Sequence, residues 1–196
     1  MVSAFTKKNQ TATALDAKAQ KFLNENREKW RDWNVPYEDG RVLYNLIIKG
    51  DYKNALEIGT STGHSGIWIA WALSKTGGRL ITIENDEGRH RRALKNFSQA
   101  GVESYIDARL GDAHQLVKES GGPFDFVFSD ADKEWYVQYF KDADAKLSVG
   151  GCFAAHNVMD AFTGVKEFLD YVERLPNYQT RIDRSSSSGI SISCKK

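Results

Sequence analysis

Five short apolar runs recur through the chain, at residues 54–59 (NALEIG), 79–84 (RLITIE), 104–111 (SYIDARLG), 124–130 (FDFVFSD) and 151–157 (GCFAAHN). Each is rich in β-branched or aromatic residues and is bounded by Gly, Asp or Asn, the pattern of a buried strand. Residues 64–75, 86–100, 112–120, 133–147 and 161–174 instead repeat apolar positions every three to four residues, as in Val165, Phe168, Leu169 and Val172, which predicts helices. Strands joined by crossover helices run parallel, and the helices cover both faces. The pattern therefore predicts an α/β fold, a three-layer doubly wound and mostly parallel sheet, with its ligand crevice at the C-terminal ends of the strands.

Both ends of the chain depart from this rhythm. Near the C-terminus, YQTRIDR and GISISCK are strand-like runs separated only by four serines and Gly189, which predicts an antiparallel hairpin. Near the N-terminus, residues 12–33 place Leu15, Ala19, Phe22, Leu23, Trp30 and Trp33 near one helical face, and Asn34-Val35-Pro36 closes the segment. Residues 1–34 thus read as a helical segment packed on the domain, as a contact with a second subunit in a homodimer, or as a lid; residues 35–196 read as the main domain.

Composition removes several classes of function. The 27 basic and 26 acidic residues are scattered and nearly cancel, leaving no electrostatic footprint for nucleic acid. The longest apolar run, GIWIAWAL, is far short of the roughly 20 residues a membrane span needs, so no membrane partner is expected. The N-terminus lacks an apolar signal core. Cys152 and Cys194 make no CxxC spacing and read as inert thiols in a reducing, cytoplasmic setting.

The first strand runs into ALEIGTSTGHSG, whose Gly59, Gly63 and Gly66 are spaced GxxxGxxG. That spacing is neither the GxGxxG of a dinucleotide site nor a GxxxxGK[ST] phosphate loop. It still allows close backbone approach and offers free N–H groups at a helix start, which suits a ligand with a single carboxylate; Ser65 adds a hydroxyl. Glu84 ends the second strand, where an acid can accept two hydrogen bonds from the vicinal hydroxyls of a ribose. Loop and acid together point to a nucleoside. Asp112 begins a helix after the third strand, as an N-cap also would.

LEIGTSTGHS, ITIEND, GDAHQL, FDFVFSDADKEWY and the tail GISISCKK resemble the successive motifs of the S-adenosylmethionine-dependent O-methyltransferases of the catechol and caffeoyl-coenzyme A type, over roughly residues 35–196. The strongest element is DADKxxY after FDFVF. The resemblance implies a seven-stranded Rossmann-like sheet of order 3-2-1-4-5-7-6 with an antiparallel last strand. It implies that Glu57, Gly59, Thr60 and Ser65 lie around the methionine moiety, with Gly63 also in the cofactor site and a backbone contact from Val35. Glu84 would hold the ribose, Asp112 and Ala113 the adenine side, and Asp130 and Asp132 further cofactor contacts. Lys133 would be the general base beside Asp130, and Asp130 and Asn157 would ligate a divalent metal.

A sulfonium methyl is already activated, so the enzyme's task is to present a deprotonated oxygen in line with it. A divalent metal can bind both oxygens of a vicinal diol and lower the pKa of the attacking one. Lys133, near a helix start, would take the hydroxyl proton in its neutral form. The chain departs from the family where Asp-Asn is usual, because it reads Ala-His-Asn and puts His156 at a carboxylate position. As a ligand, imidazole would weaken magnesium and favour manganese or a softer transition metal. In a metal-free alternative, His156 would accept the proton while Lys133 steadies the phenolate. Trp30, Trp33, Trp135 and Tyr136 fit an aromatic-lined site and core packing equally well, and it is the resemblance that implies a small hydroxylated aromatic, phenolic or catechol-like acceptor. Rival readings are methyl transfer to RNA or protein, and a non-catalytic cofactor-binding protein.

Overall fold

The computed structural model describes residues 2–196, with side chains described from residue 14 onward. Seven strands form one sheet: β1 (Asn54–Ile58), β2 (Arg79–Glu84), β3 (Ile106–Leu110), β4 (Phe124–Ser129), β5 (Leu147–His156), β6 (Tyr178–Asp183) and β7 (Ile190–Lys195). Their order is β3-β2-β1-β4-β5-β7-β6. β3 to β5 run parallel with their neighbours, whereas β7 is antiparallel to both β5 and β6. The expected order and the terminal hairpin are both present. Seven α-helices are described: α1 (Val2–Glu25), α2 (Tyr37–Gly50), α3 (His64–Thr76), α4 (Glu87–Ala100), α5 (Ala113–Glu119), α6 (Tyr136–Asp144) and α7 (Val165–Glu173).

Strand alternation divides the core between two helical layers. Leu56, Ile58, Val127 and Phe153 face one side, where they meet Tyr136, Tyr139 and Phe140 of α6 and Phe168 and Val172 of α7. Ala55, Phe126, Phe128 and Ile192 face the other, against Leu43 and Ile47 of α2 and Ile69 and Leu73 of α3. Each buried aliphatic or aromatic side chain contributes about 1.5–3 kcal/mol by leaving water.

The N-terminal helix ends sooner than its apolar spacing predicts. α1 stops at Glu25, and the expected continuation through residue 33 is replaced by a turn and an irregular segment in which Asp32 and Trp33 have φ of 60° and 62°. Trp30 leaves the helical face and stacks on His64 with ring centroids 4.4 Å apart. Ala19 and Leu23 are buried against Ile67, Trp68 and Phe97, and Asp16 accepts a 2.6 Å hydrogen bond from the Trp71 indole. Asn34-Val35-Pro36, read as a stop, is also a start. Pro36 precedes α2, where its missing N–H is harmless, and Glu38 and Asp39 favour the positive end of the helix. At Gly40 a Cβ would lie 2.2 Å from the Trp68 indole, so this close crossing of α2 over α3 requires glycine.

The two cysteines are not free thiols. Cys152 and Cys194 face each other across the antiparallel β5–β7 pair, with Cα atoms 4.0 Å apart, and form a disulfide. The inert-thiol reading is corrected, and the inference of a reducing compartment drawn from it loses its basis. The residues are 42 apart in sequence, and it is the hairpin register that brings them together. Among the described residues, no helix is long and apolar enough to cross a membrane.

Candidate active site

A cavity of about 690 Å³ opens at the C-terminal edge of the sheet, within the size range of small-molecule sites. Of the expected site residues, Gly59, Glu84, Asp112, Ala113, Asp130, Asp132, Lys133, His156 and Asn157 line it. Gly59 has φ of +97°, and a Cβ there would meet the Asp130 carbonyl oxygen at 2.9 Å, so only glycine lets the β1 turn lie against the β4 turn. Val35, Glu57, Thr60, Gly63 and Ser65 stand behind the wall. Val35 is buried between the wall residues Asn34 and Pro36, and its carbonyl faces His64 Nδ1 at 2.8 Å. Gly63 begins α3 at φ +96°, with a would-be Cβ 2.6 Å from the Phe97 ring.

Glu84 braces the glycine turn while facing the cavity. Its Oε2 accepts from the Ser61 amide at 2.7 Å, and Oε1 accepts from the amides of Asn85 and Asp86 at 3.1 and 3.0 Å. These bonds fix the carboxylate at the end of β2 and leave acceptor capacity for a ligand's hydroxyls. Glu57 is wholly buried under the turn. Thr82 Oγ1 donates to its Oε2 at 2.5 Å, while Oε1 has no hydrogen-bond partner. Burial pushes this carboxyl up to about 7, against the opposing pull of the Ser65 and Thr82 hydroxyls.

At one end of the cavity, Asp112 caps α5 by accepting from the His114 amide at 2.9 Å, the local role its position predicted. The His114 ring lies between Asp112 and Asp132, with nitrogens 3.2 Å from each carboxylate, and against Trp135 at a centroid distance of 3.8 Å. Ala113 and Tyr139 complete that wall. This arrangement of glycine turn, carboxylate and apolar wall fits a nucleoside with a charged tail.

At the other end, four charged side chains form a chain of contacts. Lys133 Nζ donates to Asp130 Oδ1 at 2.7 Å, and Asp130 Oδ2 lies 3.2 Å from His156 Nδ1. His156 Nε2 lies 2.8 Å from Asp39 Oδ2, which also accepts from the Ser186 hydroxyl at 2.7 Å. Burial opposes charge on His156, but Asp130 and Asp39 outweigh it and raise the ring to about 9. Burial likewise disfavours the charged form of Asp130, yet His156 and Lys133 hold it below the usual carboxylate range.

This donor set does not fit a divalent metal. Asp130 spends one oxygen on Lys133 and the other on His156, and both His156 nitrogens face carboxylates. Asn157, at φ +56°, donates from its side-chain nitrogen to Asp160 at 2.8 Å and has only its amide oxygen left to offer. Among the described residues, no group of three His, Cys, Asp or Glu side chains converges as metal ligands do. The expectation of His156 as a ligand is therefore revised by its engagement with Asp39, a residue that sequence reading missed. Ser61, Arg89, Phe162 and Ser188 also line the cavity without having been singled out. Phe162 falls in the predicted helix 161–174 but lies outside it, because α7 starts only at Val165, and Ser188 lies in the serine run between β6 and β7.

Sheet order and the cavity at its edge define a doubly wound, Rossmann-like α/β architecture. Solved structures share it. One is an O-methyltransferase from Bacillus cereus in complex with SAH, with a TM-score of 0.80 and 26% identity, covering 92% of this chain and 91% of that one. Another is the O-methyltransferase TomG from Streptomyces achromogenes in complex with SAM, with a TM-score of 0.78 and 25% identity, covering 91% and 89%. The O-methyltransferase family pattern matches residues 11–172, and the chain belongs to that family. Among curated relatives, a catechol O-methyltransferase of Niastella koreensis is 42% identical over 130 residues, which is 64% of this chain and 58% of the relative. A caffeoyl-CoA O-methyltransferase of Eucalyptus globulus is 31% identical over 138 residues, 68% of this chain and 56% of that protein. The chain thus spans little more than half the length of these two relatives.

Proposed function

We propose that the protein is an S-adenosylmethionine-dependent O-methyltransferase for a small phenolic, catechol-like acceptor. The observation that carries the reading is one cavity holding Glu84 at the end of β2 and the Lys133–Asp130 pair just beyond β4, with an apolar wall between them. The names of the catechol and caffeoyl-CoA relatives support the acceptor class.

S-adenosylmethionine would be held by the glycine turn, Glu84 and the wall of Ala113, Tyr139 and Asp132, and it supplies an activated methyl group. Lys133 handles the acceptor's proton. As a neutral amine it still donates one N–H to Asp130, while its lone pair takes the hydroxyl proton at Nζ. The resulting ammonium is then stabilised by the carboxylate already 2.7 Å away. Phe162, with its ring 5.8 Å from Lys133 Nζ, offers an apolar surface to an aromatic acceptor.

Calorimetry with S-adenosylhomocysteine tests the cofactor half of the reading. Glu84→Ala should weaken binding tenfold or more, because loss of a charged acceptor costs on the order of 1.5–3 kcal/mol. Equal affinity in both proteins would reject the assignment. A screen of catechols and simpler phenols with labelled cofactor tests the acceptor half.

A further inference from the structure

We propose that His156 is a fixed cation at the place where a divalent ion would otherwise be needed, held there by Asp39 and Asp130, and that methyl transfer here proceeds without a bound metal. The proposal rests on the O-methyltransferase reading above. Its first support is hydrogen-bond geometry. Both ring nitrogens lie within reach of carboxylate oxygens, Nε2 of Asp39 at 2.8 Å and Nδ1 of Asp130 at 3.2 Å. A carboxylate oxygen only accepts, so each nitrogen satisfies its neighbour by carrying a hydrogen. A ring with two N–H groups has no lone pair for a metal.

The second support is charge. Asp39 and Asp130 are two buried carboxylates, and His156 and Lys133 supply two cations in contact with them. Even when Lys133 is neutral and ready to take a proton, His156 leaves the group with a single net negative charge, fewer than the carboxylates that magnesium or calcium sites gather with their charge not otherwise met. The third support is rigidity. Asp39 and His156 are 1% and 3% exposed. Tyr136 fixes the strand behind His156 by donating its hydroxyl to the His156 carbonyl at 3.0 Å. Ser186, from the serine run between β6 and β7, fixes Asp39. A cation so placed needs no reorganisation when charge develops on the acceptor, which is what makes electrostatic stabilisation effective.

In this account the acceptor O–H bond breaks with its proton passing to Lys133 Nζ. The oxygen's electron pair forms the new O–CH3 bond as the S–CH3 bond breaks, and that bond's electrons stay on sulfur as a neutral thioether. His156 keeps both protons throughout and acts through its field. Because Asp130 is shared between Lys133 and His156, it remains ion-paired whichever form Lys133 takes.

The test measures metal binding and turnover in the same samples. Protein stripped with chelator is titrated with Mn2+ in the presence of S-adenosylhomocysteine, and free Mn2+ is read by electron paramagnetic resonance. Wild type should leave the free signal undiminished at submillimolar metal. His156→Asp, and the paired change Asp39→Ser with His156→Asp that avoids two facing carboxylates, should bind Mn2+ at least tenfold more tightly. With a catechol acceptor, chelator should change wild-type turnover less than twofold and cut that of a metal-binding variant tenfold or more. In nitrogen-15 spectra at neutral pH, both His156 ring nitrogens should carry protons, and Asp39→Asn should remove one. Micromolar Mn2+ binding by wild type that Asp130→Asn abolishes, or loss of wild-type turnover in chelator, would overturn the proposal. If no phenol is methylated, the O-methyltransferase reading fails, and the Mn2+ titration still decides whether this site takes a metal.

Discussion

At the residue scale the account turns on Lys133, which stands three residues beyond Asp130 and meets it at 2.7 Å. Lys133→Ala should leave S-adenosylhomocysteine affinity within twofold of wild type while lowering methyl transfer roughly a hundredfold, the usual size of a general-base contribution. Single-turnover assays at saturating cofactor would show it, and unchanged turnover would return Lys133 to a packing role. Glu57 makes a different prediction. Its carboxyl ordinarily titrates near 4.5 but is pushed up to about 7 by burial. Below pH 4.5 the folded and unfolded chains both hold this proton and nothing is lost. Between 4.5 and about 7 the unfolded chain releases it while the folded protein keeps it, so stability falls with rising pH, and above about 7 the loss is complete. Urea unfolding across this range should show wild type losing about 3 kcal/mol relative to Glu57→Gln. A constant difference between the two proteins would contradict it. Residues in the recognised motifs were legible because short spacing fixes them to strand ends. Asp39 was not, because it meets His156 across 117 residues and nothing local marks it.

At the scale of elements, the parallel strands and their crossover helices were legible because period-2 and period-3.6 burial is a local property of the sequence. β3 and α5 are shorter than their apolar runs suggested, and α6 is preceded by a single 3-10 turn at Lys133–Trp135. What local periodicity does not carry is register. The disulfide follows from the pairing of Cys152 with Cys194 between β5 and β7, and it ties the terminal hairpin to the strand that ends in His156. Closing a 42-residue separation is worth about 4 kcal/mol in the chain-entropy account. Cys152→Ala with Cys194→Ala should therefore lower urea-unfolding stability by that amount, and the unreduced wild-type protein should give no reaction with a thiol reagent after unfolding. Two titrating thiols in oxidised protein would contradict the pairing. α2 escaped notice because Pro36 reads equally as the end of one helix and the first turn of another. Its burial of Leu43 and Ile47 and its close crossing at Gly40 show which reading tertiary packing selects.

At the scale of the whole molecule, the sheet gathers the ends of β1, β2, β4 and β5 into one cavity, with α2 entering from the N-terminal side to deliver Asp39. The end around Glu84, where the proposed cofactor would lie, is built from backbone amides and carboxylates on strand ends. The end around Lys133, where the proposed acceptor would lie, is built from a buried set of paired charges beside Phe162. The division explains why one edge serves both binding and chemistry: the first requires fixed acceptors, the second a preset field. The most direct measurement is mass-spectrometric detection of product from protein incubated with S-adenosylmethionine and a catechol. A monomethylated catechol should form in equal amount with S-adenosylhomocysteine and be strongly reduced in Lys133→Ala. Tight S-adenosylhomocysteine binding with no methylated product from any catechol or simple phenol would contradict the central claim.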